Sequence, residues 1–171
     1  VNDIAFTIVQ AQKFACSWSA MLSLSNKQII LGITGGIAAY KAAELCRFLI
    51  KAGADVRVVM TNSAADFITP LTFQALSGNR VHTELLDEEA EAAMGHIELA
   101  RWADLILVAP ASANFIARLA QGRAEDLLST LCLASTGTLA VAPAMNQGMW
   151  RNANTQDNLK LIQEKDVVVF G

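Results

Sequence analysis

The chain has 171 residues, 53% hydrophobic and 17% charged, and its 13 basic and 16 acidic side chains give a formal net charge of −3. That is enough for one domain with a substantial core, and far too apolar for a disordered chain. Lys and Arg do not cluster as nucleic-acid phosphates would require, and no apolar run approaches the roughly 20 residues of a membrane span.

The three cysteines, Cys16, Cys46 and Cys132, are widely spaced and show neither CxxC nor Cys/His metal spacing, which fits a reduced, cytoplasmic protein without a metal site. Residues 1–26 lack the basic start of a signal peptide and are expected to be an N-terminal extension, leaving 27–171 as one domain. From there the pattern is strand, then helix, repeated. Residues 28–33 (QIILGI) form a β-branched, apolar run suited to a strand buried on both faces, followed by Thr34-Gly35-Gly36 and a helical period over 37–52 that Gly53 terminates.

A second strand is predicted at 55–60 (DVRVVM), then N-cap chemistry at 61–63 with a helix from about Ala64, and a short helix over 70–77 ended by Gly78. The acidic run 87–91 suits a solvated helix face. A helix over 97–103 leads to a third strand at 104–109 (DLILVA), ended by Pro110. Helices over 114–120 and 127–133 follow, the second capped by Asp126, which has a possible second role on a ligand hydroxyl. A fourth strand at 138–142 (TLAVA) ends in Pro143. A helix over 155–165 and a fifth strand at 166–170 (DVVVF) complete the chain. Five apolar strands separated by helix-length crossovers imply a three-layer α/β fold, a flavodoxin-like parallel sheet of order 2-1-3-4-5 with helices on both faces.

Val108-Ala109-Pro110-Ala111 recurs as Val141-Ala142-Pro143-Ala144, placing two of the three prolines at strand ends, where proline is expected to stop the ladder and turn the backbone outward. Ligands of open α/β sheets bind beyond those ends. The turn through Thr34, Gly35, Gly36 and Ile37 opens a helix and can present free amides to an anion; it is neither GxGxxG nor a Walker A loop, and a tight turn needing glycine for φ > 0 would look the same. Ser63 could donate to the same anion or be a plain N-cap. Pro110, Ala111, Ser112, Ala113 and Asn114 begin a third helix at this edge. The segment 143–150 (PAMNQGMW) places an amide, two thioethers and an indole in a loop, where exposed Met145, Met149 and Trp150 suggest a ligand wall or a subunit contact. His96 is a candidate base or a capping residue, and His82 a weaker candidate.

Taken together, 32–41 (GITGGIAAYK), 95–99 (GHIEL), 110–114 (PASAN) and 143–150 (PAMNQGMW) resemble the homo-oligomeric flavin-containing cysteine decarboxylases, and within them the phosphopantothenoylcysteine decarboxylases, from about Lys27 to Gly171. The resemblance implies FMN, held by Thr34, Gly35, Gly36, Ile37, Ser63, Pro110, Ala111, Ser112, Ala113, Asn114 and Ala144. It implies His96 and Asn146 as catalytic residues, with Met145, Asn146 and Met149 on the substrate, 4′-phosphopantothenoylcysteine. The implied reaction oxidises the cysteinyl end to a thioaldehyde, releases carbon dioxide to give an enethiol, and reduces that to 4′-phosphopantetheine. Assembly as a trimer or as four trimers is implied too. A flavin prenyltransferase shares the cradle but not the Pro-Ala-Met-Asn loop, and a non-catalytic flavin-binding subunit would not need both His96 and Asn146. Phe115 departs from the family's usual Thr and, with Met145, Met149 and Trp150, is expected at a flavin pocket or subunit interface. The family's substrate-covering segment, with its proton-donating cysteine, and a ligase domain would lie beyond Gly171, so the final reduction is expected to stall here.

Overall fold

The computed structural model describes residues 24–85 and 95–171. The acidic run 87–91 and most of the expected extension lie outside these residues. The described chain runs β1 (Gln28–Ile33), α1 (Ala39–Lys51), β2 (Asp55–Met60), α2 (Asn62–Ala65), α3 (Pro70–Ser77), α4 (His96–Trp102), β3 (Leu105–Ala111), α5 (Ala113–Gln121), α6 (Leu127–Ala134), β4 (Thr138–Pro143), α7 (Gln147–Arg151), α8 (Ala153–Gln163) and β5 (Val168–Val169). The five strands form one parallel sheet in the expected order β2-β1-β3-β4-β5. Leu24 donates its amide to the Ala52 carbonyl and packs against the core.

The continuous apolar character of the strands follows from burial on both faces. On one face, Ile30, Ile106, Val108 and Val141 meet Leu99 of α4, Phe115 and Ile116 of α5, Leu128 and Leu131 of α6, and Leu159 and Ile162 of α8. On the other, Ile29, Leu31, Ile33, Val58 and Met60 meet Ala39, Ala42 and Cys46 of α1 and Phe73 of α3. Gly32 has no side chain because Leu128 fills that space, its Cδ1 lying 2.6 Å from where a Cβ would stand.

Three expectations need correction. Pro110 does not end its strand: β3 runs on to Ala111, which pairs with Pro143, the last residue of β4 as expected, across a register shift that follows Val108. Proline loses only its N–H, and the Pro110 carbonyl still accepts the Thr34 amide at 3.2 Å. The fifth strand is two residues long, because Asp166 has φ 63° and the chain enters the sheet only at Val168. Phe115 is fully buried inside the α5 face of the core, with the Arg118 guanidinium 5.6 Å from its ring centre, and therefore faces neither a ligand nor a neighbour.

Asp126 is the N-cap of α6 as expected, in a reciprocal capping box with Ser129. Its other carboxylate oxygen is occupied by Arg118 Nη1 at 2.7 Å rather than left for a ligand. Burial pushes this carboxyl up, but hydrogen bonds from the Ser129 amide and hydroxyl and from Arg118, with the charge of Arg118, outweigh burial and hold it below the usual carboxylate range.

Two outcomes are expected. Phe115→Ala should cost about 3–5 kcal/mol in chemical denaturation, the range for emptying a buried aromatic site. A carboxyl lowered by folding contributes stability above its unfolded pKa and loses it as the pH falls through the folded value. Asp126→Asn should therefore destabilise by about 1 kcal/mol at neutral pH, with a deficit that shrinks on acidification below the ordinary Asp range.

Candidate functional site

A parallel sheet brings all strand carboxyl ends to one edge, and here they are stitched into a rim. The Thr61 amide after β2 donates to the Ile33 carbonyl at 3.0 Å, Thr34 after β1 donates to Pro110 in β3, and the Ala144 amide after β4 donates to the Ala111 carbonyl at 3.0 Å. Ser63, Thr34 to Ile37, Pro110 to Asn114, and Ala144 are thereby set side by side in the spatial order of the strands. Pro110 and Ala111 are themselves buried, so the outward surface of their turn belongs to Ser112, Ala113 and Asn114.

The glycine turn is built for something other than a left-handed backbone. Neither Gly35 nor Gly36 has positive φ, unlike Gly53, Gly78 and Gly122, so the tight-turn explanation does not account for them. Gly35 is glycine because Ser63 lies against it: an added Cβ would stand 2.6 Å from Ser63 Oγ and 2.9 Å from its carbonyl oxygen. At Gly36 nothing among the described residues lies within 4 Å of that position, so none of their atoms explains it. The N-cap of α1, Ala38, offers no side-chain cap and the first turn has no acidic residue. Among the described residues, the amides of Gly35, Gly36, Ile37 and Ala38 have no acceptor. A row of unsatisfied amides at the positive end of a 13-residue helix favours an anion.

The other rim members play distinct parts. Ser112 is the N-cap of α5, its Oγ accepting from the Phe115 amide at 3.2 Å, and no acidic residue occupies that first turn. The Thr34 hydroxyl is spent within the protein, donating to Pro110 O at 2.8 Å and accepting from the Ser112 amide at 2.9 Å. Ser63 is exposed, with Oγ 3.1 Å from the Thr61 hydroxyl. It occupies the second position of α2, so it is not the N-cap; Thr61 is.

The expected loop 143–150 contains the short helix α7, capped by Asn146 through its Oδ1, which accepts the Gly148 amide at 2.7 Å. That cap orients the amide and leaves its NH2, a pure donor, available to an acceptor. Met149 is exposed, whereas Met145 and Trp150 are partly buried against the α5–α8 face of the core rather than displayed. The sequence signal for α7 is its cap, an Asn two residues before Gly148, since five residues of helix are too short to show a period.

His96 opens α4, after the N-cap Gly95, and is half-buried. Trp102 at the other end of α4 meets Gln28 at the start of β1, its carbonyl and Nε1 each 2.7 Å from the Gln28 amide group. Thus α4 runs opposite to the strands, and His96 lies at its end towards the carboxyl edge. His82 sits beside β2, exchanging backbone hydrogen bonds with Val58 and Met60. Cys46 and Cys132 are buried, and burial pushes their thiols up to about 11 and about 12. Among the described residues no group of three or more His, Cys, Asp or Glu could hold a metal ion, and no helix is long and apolar enough to cross a membrane.

The two glycines should respond differently to a methyl group. Gly35→Ala must displace Ser63 and should lower the melting temperature, while Gly36→Ala should melt within about 2 °C of the parent, a shift corresponding to under 0.5 kcal/mol.

A family profile described as Flavoprotein matches residues 19–171. The chain is 59% identical over 150 residues to the Coenzyme A biosynthesis bifunctional protein CoaBC of Haemophilus influenzae (88% of this chain, 38% of that protein). It is 46% identical over 141 residues to the protein of the same name from Bacillus subtilis (82% and 35%). The chain thus spans well under half the length of these relatives. Among solved structures, the FMN-dependent cysteine decarboxylase SpaF superposes with a TM-score of 0.79 at 28% identity, over 85% of this chain and 84% of that one. A cysteine-to-serine mutant of PPC decarboxylase complexed with pantothenoylaminoethenethiol superposes with a TM-score of 0.71 at 33% identity, over 84% and 80%. The matches cover nearly the whole described fold, and the chain belongs to the flavoprotein family, among the flavin-containing cysteine decarboxylases.

Proposed function

We propose that this chain binds FMN at the carboxyl-edge rim and decarboxylates 4′-phosphopantothenoylcysteine in coenzyme A biosynthesis. The observation that carries the reading is Gly36: a glycine of ordinary φ, with open space where a side chain would stand and unsatisfied amides around it, fits a site shaped around a phosphate. The relatives named above support the choice of cofactor and substrate.

In this reading the amides of Gly35, Gly36 and Ile37, with those of Ala113 and Asn114 at the start of α5 and the Ser63 hydroxyl, hold the phosphate and ribityl end. Pro110 and Ala111 act through their backbone, and Ala144 comes up against the ring system. Bound FMN supplies an electron sink for the cysteinyl end of the substrate, without which a carboxylate on a saturated carbon does not leave. The Asn146 NH2 holds the substrate carboxylate, with Met145 and Met149 lining its approach. His96 takes a proton from the substrate at one ring nitrogen. Cys46 and Cys132, both buried, do not serve as the proton donor to an enethiol. The reading also carries a cytoplasmic homo-oligomer, a trimer or four trimers together. Ile37 at 72% and Leu71 at 70% exposure are apolar surface suited to a second copy.

The decisive measurement is a visible spectrum and fluorescence titration with FMN, followed by carbon dioxide release from the substrate. A flavin band and saturable quenching are expected. His96→Asn should lose at least about 100-fold in turnover with FMN affinity retained. A protein that takes up no flavin would sink the reading, and a fully active His96→Asn would remove only the role of His96.

A further inference from the structure

Thr34 is 2% exposed, and its side chain is the one hydroxyl among the described residues that crosses from the end of β1 to the end of β3. Beyond the ladder that pairs the strands up to Gly32 and Val108, the backbone joins these ends by a hydrogen bond from the Thr34 amide to the Pro110 carbonyl at 3.2 Å. The hydroxyl adds two shorter ones, donating to that carbonyl at 2.8 Å and accepting the Ser112 amide at 2.9 Å. Ser112 in turn caps α5. One side chain therefore links the turn leading into α1 to the residue that starts α5. These are helices of 13 and 9 residues whose first turns both lack acidic residues. Among the described residues the Ser63 hydroxyl hydrogen-bonds that of Thr61 on its own segment, so it does not make this crossing.

With its proton given to Pro110, the Thr34 hydroxyl has no donor left for a ligand. We propose that Thr34 is a positioning residue, not a contact: it holds the Gly35–Gly36 turn and the Ser112–Asn114 turn at the separation from which both sets of amides reach one phosphate. This rests on the flavin reading above. Hydrogen bonds to an ionised acceptor are stronger and shorter than neutral ones, so a shift between the two turns is felt most by the dianionic phosphate and little by the uncharged remainder of the flavin.

The test titrates the parent, Thr34→Val and Thr34→Ser with FMN and, separately, with riboflavin, which lacks the phosphate. Valine keeps the shape and removes both hydrogen bonds; serine keeps the hydroxyl. Thr34→Val should weaken FMN by about tenfold or more and riboflavin by less than about threefold, with Thr34→Ser within about threefold of the parent for both. In flavin-free protein, hydrogen exchange at the Ser112 amide should quicken in Thr34→Val and not in Thr34→Ser. Unchanged FMN affinity in Thr34→Val, an equal loss for riboflavin, or a serine variant as weak as valine each overturns the proposal. Should Thr34→Val not fold, Thr34→Ala against Thr34→Ser makes the same comparison. A parent that binds neither flavin overturns the flavin reading and the proposal together; a parent that binds FMN as tightly as its valine variant overturns the proposal alone.

Discussion

Because the five strands are parallel, every strand delivers its last residue to the same edge, and every return must be made by a crossover that begins there. The rest of the molecule depends on that constraint. It gathers residues from four separate stretches, near 34, 61, 111 and 144, without any of them being close in sequence. It aims the first turns of α1 and α5 at a common region, where their amides have nothing inside the helix to bond. A parallel sheet does not by itself fix how those ends stand relative to one another. Here three backbone bonds and the Thr34 hydroxyl do so, converting four adjacent strand ends into a single rim.

The architecture was legible because burial on both faces writes itself into the residues. Runs such as QIILGI and DVRVVM have no polar alternation to be confused with a half-exposed strand, and β1, β2 and α3 begin and end where the residues say. The two strand-end prolines differ: Pro143 is the last residue of β4, whereas β3 runs one residue past Pro110. A proline in a parallel strand loses its N–H but still offers its carbonyl, and Pro110 uses that carbonyl twice.

The site was legible as a set of positions and not as a set of roles. Gly35 and Gly36 are adjacent and chemically identical, and only the structure separates them: one makes room for Ser63, the other for nothing among the described residues. Thr34 reads as one more polar residue in a loop, because a hydroxyl that bonds 76 and 78 residues away leaves no local trace. Phe115 shows the converse. A departure from the family pattern next to site residues looks like a change in the site, but position 115 is the third residue of α5, where a helix opening at the rim has already turned towards the core. Being adjacent in sequence to a ligand turn says little about which way a helical side chain projects.

The apolar surplus of the composition divides along the same line. The strands and the inner faces of α1, α3, α5, α6 and α8 absorb most of it in two cores. What remains is not scattered evenly. Ile37 and Tyr40 straddle the start of α1, Phe67 and Leu71 flank the start of α3, and Met149 lies in α7, so several of the exposed large apolar side chains sit in or just after rim segments. Apolar side chains there cannot satisfy the exposed amides, and lying in water gains them nothing. A flavin offers both a phosphate for the amides and a broad apolar ring system for the side chains. The apolar side chains left outside the two cores near the rim and the unsatisfied amides are thus accounted for by the same ligand.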